Sequence, residues 1–153
     1  MKSIAMIILT MSVGIFFFTN AFAGGVAVSC NAKQINPEVP FEAIISIDSG
    51  VQPLGAFQLN LGFDPGDLEL KEILSGESEY FQGRLTFKFD NEKGVLIING
   101  FQSLSLEEPK GLSSVATVRI KRKINTSDLF WIHEASLFDT NGENIPIEFF
   151  NIE

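Results

Sequence analysis

Hydrophobic and polar residues alternate along most of this chain beyond its N-terminal segment. The clearest case runs from Ala56 to Phe63, where every second residue is large and apolar: Phe57, Leu59, Leu61 and Phe63. Successive side chains of a β-strand point to opposite faces, so this segment predicts one buried face and one solvent face. No stretch of the mature sequence keeps apolar residues at helical spacing over several turns. The pattern predicts an all-β protein.

Similar short segments, separated by turn residues, continue to the C-terminus. The predicted strands are a first one from Val26, followed by residues 41–48, 56–63, 69–74, 84–89, 95–101, 114–123, 130–138 and 144–152. The turns between them include Asp64-Pro-Gly-Asp67, Asp90-Asn-Glu-Lys-Gly94 and Asp139-Thr-Asn-Gly142. About nine short antiparallel strands at this spacing predict a β-sandwich with jelly-roll topology.

The first 23 residues have the pattern of a signal peptide. Lys2 precedes an apolar stretch from Ile4 to Phe18, and Ala21-Phe-Ala23 supplies the small residues of a cleavage site. A membrane anchor is the rival interpretation, but spanning a bilayer takes about 20 predominantly apolar residues and this run is shorter. A lipid anchor on Cys30 is a further alternative. We expect a single domain, residues 24–153, exported to the periplasm or the extracellular space, with no membrane span after cleavage.

Charge and cysteine content narrow the range of partners. The chain has 11 Lys and Arg against 19 Asp and Glu, for a net charge of −8. Such a surface repels phosphate backbones, so we expect no nucleic-acid partner. The one basic cluster, residues 119–123, closes a predicted strand, where lysines would discourage pairing at a sheet edge. Cys30 is the only cysteine, so no internal disulfide can form.

Few residues suit catalysis or metal binding. His133 is the only histidine, and alternation places it on one face of a predicted strand with Trp131, Ala135 and Leu137, which favours a structural role. No nucleophile elbow, phosphate-binding loop or paired metal-ligand spacing is present, and the acidic residues lie in turns. The turn from Asp139 to Gly142 resembles the start of a calcium loop, but the rest of that loop is missing. We expect no enzyme, no cofactor and no metal site, and leave calcium at this turn open.

Three segments, in matching order, resemble the cohesin-like domains of bacterial exported proteins, in the superfamily shared with some cellulose-binding modules. They are Leu54-Gly-Ala-Phe-Gln-Leu-Asn-Leu-Gly-Phe-Asp-Pro65 with the following Leu68-Glu-Leu70, then Gly94-Val-Leu-Ile-Ile-Asn-Gly-Phe101, then the Gly-led strand from Gly111 to Ile120 with the closing segment from Ala135 to Ile145. The resemblance implies a nine-stranded flattened jelly roll. It also implies a noncatalytic module that binds a protein partner, either dockerin-like or a component of the envelope. Because relatives bind glycans, the alternative is a carbohydrate-binding module acting in polysaccharide binding or catabolism.

Two sets of residues are candidates for such binding. Polar and apolar residues in the outward phase of three strands, which share one sheet in the cohesin arrangement, would form a partner-binding face: Gln58, Asn60, Arg84, Thr86, Lys88, Ile97 and Asn99. Sugar rings stack on aromatic side chains, and the only Tyr and Trp are Tyr80 and Trp131. Tyr80 falls in an irregular stretch, residues 75–83, whereas Trp131 could instead belong to the core.

Overall fold

The structure, a computed structural model, describes residues 24–30, 39–102, 107–123 and 130–152. Within these ranges the chain forms ten strands: β1 Gly24–Cys30, β2 Phe41–Asp48, β3 Leu54–Gly62, β4 Leu68–Ser75, β5 Leu85–Asp90, β6 Val95–Phe101, β7 Leu112–Arg122, β8 Trp131–Asp139, β9 Asn144–Ile145 and β10 Ile147–Ile152. A short 3₁₀-helix, Glu79–Phe81, lies between β4 and β5. No helix in the described ranges is long and apolar enough to cross a bilayer. The predicted signal peptide lies outside the described residues.

The strands form two five-stranded sheets, which confirms the predicted β-sandwich. The front sheet has the order β5-β6-β3-β8-β9, and the back sheet has the order β10-β1-β2-β7-β4. Neighbours pair antiparallel except β1 and β10, which run parallel. The predicted hairpin of β5 and β6 is present, with Asp90 paired to Val95 across its turn.

The core lies between the two sheets and consists of the inward phase of each strand. The four apolar side chains predicted to be inward on and just after β3, Phe57, Leu59, Leu61 and Phe63, are all buried. The back sheet contributes Ile45 and Ile47 from β2, and Val118 and Ile120 from β7, to the same core. Aromatic rings meet edge to face at both ends of β3: Phe57 against Phe81 at 5.2 Å between centroids, and Phe63 against Phe130 at 6.1 Å.

The last predicted strand is two strands in the structure. Asn144 and Ile145 pair with β8 in the front sheet, while Ile147 to Ile152 pair with β1 in the back sheet. Pro146 lies at the crossing, and its carbonyl accepts a hydrogen bond from the Gly24 amide at 2.6 Å. A proline cannot donate to a ladder, so it suits the point where the chain leaves one sheet for the other. This split accounts for ten strands rather than nine.

The basic cluster does not lie on a sheet edge, so that prediction was wrong. It ends β7, which is flanked by β2 and β4. Arg119 donates to Glu72 on one neighbouring strand at 2.7 Å and to Glu42 on the other at 3.2 Å. The arginine therefore links three strands across the outer face of the back sheet.

One side of the sandwich is bounded by the edge strands β4 and β5, which approach each other. In the turn after β5, the Asn91 side chain hydrogen-bonds both backbone groups of Leu70 on β4. Its Oδ1 accepts from the Leu70 amide and its Nδ2 donates to the Leu70 carbonyl, each at 2.9 Å. Asn91 therefore acts as a clamp that ties the front sheet to the back sheet.

We expect Asn91→Ala to lower the free energy of unfolding by about 1 to 3 kcal/mol, because two hydrogen bonds to partly buried backbone groups are lost. The neighbouring Glu92→Ala removes an exposed side chain from the same turn and serves as the control, with an expected change within about 0.5 kcal/mol. Urea denaturation of both variants measures the difference. Equal stabilities would show that the clamp contributes nothing.

Candidate partner-binding face

The outer face of the front sheet collects the seven residues of the predicted partner-binding face. Cross-strand pairing places Lys88, Ile97 and Asn60 in one row, and Thr86, Asn99 and Gln58 in the next. Arg84 comes immediately before β5, and its amide is held by the Phe81 carbonyl at 3.0 Å. The structure therefore brings these residues together on one surface, which we call the front face.

The middle of the front face is a polar band formed by Gln58, Asn60, Thr86 and Asn99, and not all of its polar atoms are hydrogen-bonded within the described part of the chain. Asn99 Nδ2 lies 3.4 Å from Thr86 Oγ1, a long hydrogen bond. The side-chain oxygens of Asn60 and Asn99 are covered by neighbouring atoms and receive no hydrogen bond within the described part of the chain. Covered acceptors without donors cost free energy and offer no surface to a partner, so the hydrogen bonds available to a partner in this band come from its exposed side chains, Gln58 and Thr86.

Cations on the front face differ in their environment from the arginine at the centre of the back sheet. Arg84 and Lys88 are exposed, and neither belongs to an ion pair among the residues that the structure describes. Arg119, in contrast, has two carboxylate partners. In a chain with a net charge of −8, these two cations make the β5 side of the front face basic, while Glu134, exposed beside Asn60, is an acid on the β8 side.

Trp131 lies on the front face and not in the core. Asn60 pairs with Glu134 while Leu61 pairs with Ile132, so His133 is the extra residue of a β-bulge. The bulge resets the alternation, which turns Trp131 and His133 outward while Ala135 and Leu137 still contact the core. The prediction that these four residues share one face is therefore wrong.

The indole of Trp131 covers Gly62 and is held there by His133. A Cβ atom at position 62 would overlap ring atoms Cε2 and Nε1 of Trp131, so only glycine leaves room for the ring. Trp131 Nε1 donates to His133 Nε2 at 3.1 Å, and the two rings meet edge to face. Trp131 nevertheless remains 45% exposed. The front face thus has a fixed aromatic platform at the C-terminal end of β3.

Tyr80, the other aromatic candidate, lies away from Trp131. It belongs to the 3₁₀-helix, and part of its ring packs against the core. The rest lines an open groove of about 590 Å³ with Glu77, Glu79, Lys110 and Leu112 among its walls. This groove is near Pro109, which contacts the start of β3, whereas Trp131 is at the end of that strand. The two aromatic residues therefore cannot form one stacking surface.

Several front-face residues were not among the sequence candidates. Phe101 pairs with Ala56, and Ala56 pairs with Phe138, which gives a third row that is mostly apolar. Phe101 has the same phase as Ile97 and Asn99, so alternation alone could have identified it. Phe138 could not be found this way, because the bulge at His133 reverses the phase of β8 between Trp131 and Phe138.

The Asp139 carboxylate organises the turn that resembled a calcium loop. Its Oδ1 accepts from the amides of Asn141 and Glu143, each at 2.8 Å. The pKa of Asp139 is lowered, chiefly by the Glu143 amide and against the opposing effect of burial. This oxygen therefore already serves as a hydrogen-bond acceptor within the turn. The described residues contain no group of three or more His, Cys, Asp or Glu that could hold a metal ion.

No protein-family model matches the chain, and no curated protein is similar to it. Solved structures do share its fold. A chain of a type II cohesin–X–dockerin complex from Acetivibrio cellulolyticus superposes with a TM-score of 0.68 at 14% identity, covering 85% of this chain and 95% of that one. The cohesin module of a family 33 glycoside hydrolase from Clostridium perfringens superposes with a TM-score of 0.64 at 18% identity, covering 86% of this chain and 99% of that one. A non-cellulosomal cohesin from Archaeoglobus fulgidus superposes with a TM-score of 0.62 at 13% identity, covering 85% of this chain and 86% of that one. The chain has the cohesin fold, as the resemblance predicted.

We expect Gly62→Ala to displace the indole of Trp131, because the new methyl group occupies the space under the ring. Trp131 is the only tryptophan, so the change appears directly as a shift of the fluorescence emission to longer wavelength. Ala56→Ser, at an outward position near the other end of β3, is the matched control and should leave the emission unchanged. An identical spectrum for Gly62→Ala would contradict the described ring position.

We expect Asp139→Asn to destabilise the fold in a pH-dependent way, by about 1 kcal/mol at neutral pH, because hydrogen bonds to a carboxylate are stronger than those to an amide oxygen. The folded-state pKa of Asp139 lies below its usual value. The advantage of the wild type is therefore complete above about pH 5 and is lost as the pH falls through about 3.9 towards the folded-state pKa. Urea denaturation of both proteins at several pH values tests this, and a constant difference down to acid pH would contradict it.

Proposed function

We propose that this domain is a noncatalytic recognition module that binds a protein partner through the front face. The observation that carries the proposal is the exposed indole of Trp131, held by His133 on the same outer face as Ile97 and the polar band. Protein interfaces are enriched in Trp, Tyr and Arg, and a few such residues carry most of the binding free energy. The cohesin fold supports the same proposal, since one structure that shares it is a cohesin–X–dockerin complex. The proposed partner is dockerin-like or a protein of the cell envelope.

A noncatalytic role agrees with how the titratable groups are used. His133 accepts a hydrogen bond from Trp131, and Asp139 accepts hydrogen bonds from its own turn. Among the acids of the back sheet, Glu42 and Glu72 bind Arg119. Each of these groups has a structural task, and none of them forms the pair of a nucleophile and a base that covalent catalysis requires.

Carbohydrate binding is the second candidate, and Trp131 is the observation that favours it. An indole that lies over a glycine and is exposed resembles the surfaces on which sugar rings stack. This function would depend on Trp131 and its polar neighbours, and it would not require the charges of Arg84 and Lys88. Retention of the domain on polysaccharide, abolished by Trp131→Ala, would establish it.

The same proposal places the mature domain, residues 24–153, outside the cytoplasm. The support is the charged start, the apolar stretch and the small residues at Ala21-Phe-Ala23. Attachment through a lipid on Cys30 is the alternative, and mass spectrometry of the protein purified from its host distinguishes the two by the mass of the N-terminal peptide.

The test is capture of partners from the host's envelope and culture fluid by the immobilised mature domain, with and without calcium. The decisive variants are Ile97→Asp and Ile44→Asp, because both isoleucines face outward on inner strands, one in the front sheet and one in the back sheet. We expect Ile97→Asp to weaken binding of the captured protein by about 100-fold, since a carboxylate would be desolvated at the interface without a partner. Ile44→Asp should bind as the wild type does.

Titration of the purified captured protein with each variant gives the affinities. Equal affinity of Ile97→Asp and the wild type would contradict the proposal that the partner binds the front face. Weakening by Ile44→Asp alone would show that the partner binds the back sheet instead. Recovery only in the presence of calcium would favour a dockerin-like partner, because the resemblance to cohesin-like domains implies a dockerin in its calcium-loaded form.

A further inference from the structure

At the N-terminal end of β3 the front face contains a small pocket. Its volume is about 280 Å³, and its lining includes Phe101, Phe138, Gly55 and Ala56. Cross-strand pairing places Ala56 between the two phenylalanines, so the pocket belongs to the apolar row of the front face. Its size is below the range typical of drug-sized ligand sites and suits a single side chain.

The backbone around the pocket is held closely in place. A Cβ atom at position 55 would overlap the backbone of Asp139 and Thr140, so glycine allows β3 and the turn after β8 to meet. Gln102 fixes the opposite wall, since its Nε2 donates to the carbonyls of Leu54 at 2.6 Å and Glu108 at 2.9 Å. The pocket is therefore formed before any partner arrives, which reduces the entropy cost of binding.

The chemistry of the lining favours an apolar occupant over a sugar. Of the three polar side chains in the lining, Gln102 and Asp139 already use their hydrogen bonds to hold the surrounding loops, and Thr140 adds a single hydroxyl. The Gln102 oxygen without a donor is covered and offers no surface to a ligand. What remains accessible is mostly apolar, and Phe101 is 54% exposed. A sugar that displaced water from this pocket would lose hydrogen bonds that the pocket does not replace.

We propose that this pocket is a second anchor site of the front face, which receives an aliphatic or aromatic side chain of the protein partner. The inference rests on the proposed function for the identity of the partner, while the chemistry of the pocket stands by itself. Ala56 and Gly62 are six residues apart on β3, so the pocket and the Trp131 platform are about 20 Å apart along the strand. The partner presents two apolar side chains at that separation, which corresponds to about 13 residues of an α-helix.

The experiment uses two small probes on the isotope-labelled mature domain, without any partner. N-acetyl-leucinamide represents an aliphatic side chain, and methyl β-D-glucopyranoside represents a sugar. We expect the leucine probe to shift the amide resonances of Gly55, Ala56, Gln102 and Gly142, with a dissociation constant on the order of millimolar for a ligand of this size. The sugar should leave these resonances unchanged at the same concentration.

Two variants make the result specific. Ala56→Phe fills the pocket from an outward position and should abolish the shifts, whereas Leu112→Ser removes an exposed leucine outside the pocket and should preserve them. Shifts caused by the sugar alone, by neither probe, or still present in Ala56→Phe would each overturn the proposal. These outcomes do not depend on partner capture, so failure of the pocket and failure of the proposed function remain distinguishable. With a captured partner, Ala56→Phe should weaken binding at least tenfold while Leu112→Ser does not.

Discussion

The register of β3 is the constraint on which the front face depends. Phe57, Leu59 and Leu61 are buried between the sheets, and a shift of one residue would expose all of them. Because their burial fixes the strand, the outward positions from Ala56 to Gly62 are fixed as well. The strand is also paired on both sides, with β6 and β8. The polar band, the Trp131 platform and the small pocket are therefore all positioned by side chains that no partner could touch.

The two outer faces of the sandwich differ in how their charged groups are compensated. On the back sheet, Arg119 joins β2 and β4 through two carboxylates, so its charge is compensated within the molecule. On the front sheet, Arg84 and Lys88 are exposed and have no carboxylate partner among the residues that the structure describes. Groups without internal partners contribute little to folding, yet they give specificity and speed to association with a surface of complementary charge. A carboxylate that approaches the β5 side of the front face would meet charges of opposite sign before contact, whereas the exposed Glu134 would repel it on the β8 side.

Much of this arrangement could be predicted from alternation, and the exceptions have identifiable causes. Alternation correctly placed the buried side chains of β3 and brought seven candidate residues to one face, because the paired segments 56–62, 85–90 and 95–101 keep a regular register between β3, β6 and β5. It failed for Trp131, since the bulge at His133 changes the phase and depends on how β8 pairs with β3. It also merged β9 with β10, because a change of sheet at Pro146 leaves the periodicity intact. The interior position of β7 depends on strand order, which local pattern does not encode.

The Asn91 clamp has a consequence for the behaviour of the protein at high concentration. Strand β4 ends the back sheet, so its outer backbone groups form a template to which a strand of another molecule could add. Asn91 occupies the amide and the carbonyl of Leu70 with a side chain from the same molecule, and a side chain, unlike a strand, cannot propagate a sheet. A single amide near the middle of this edge thus interrupts the ladder that cross-β assembly would need. The clamp therefore opposes the addition of a foreign strand at this edge of the back sheet.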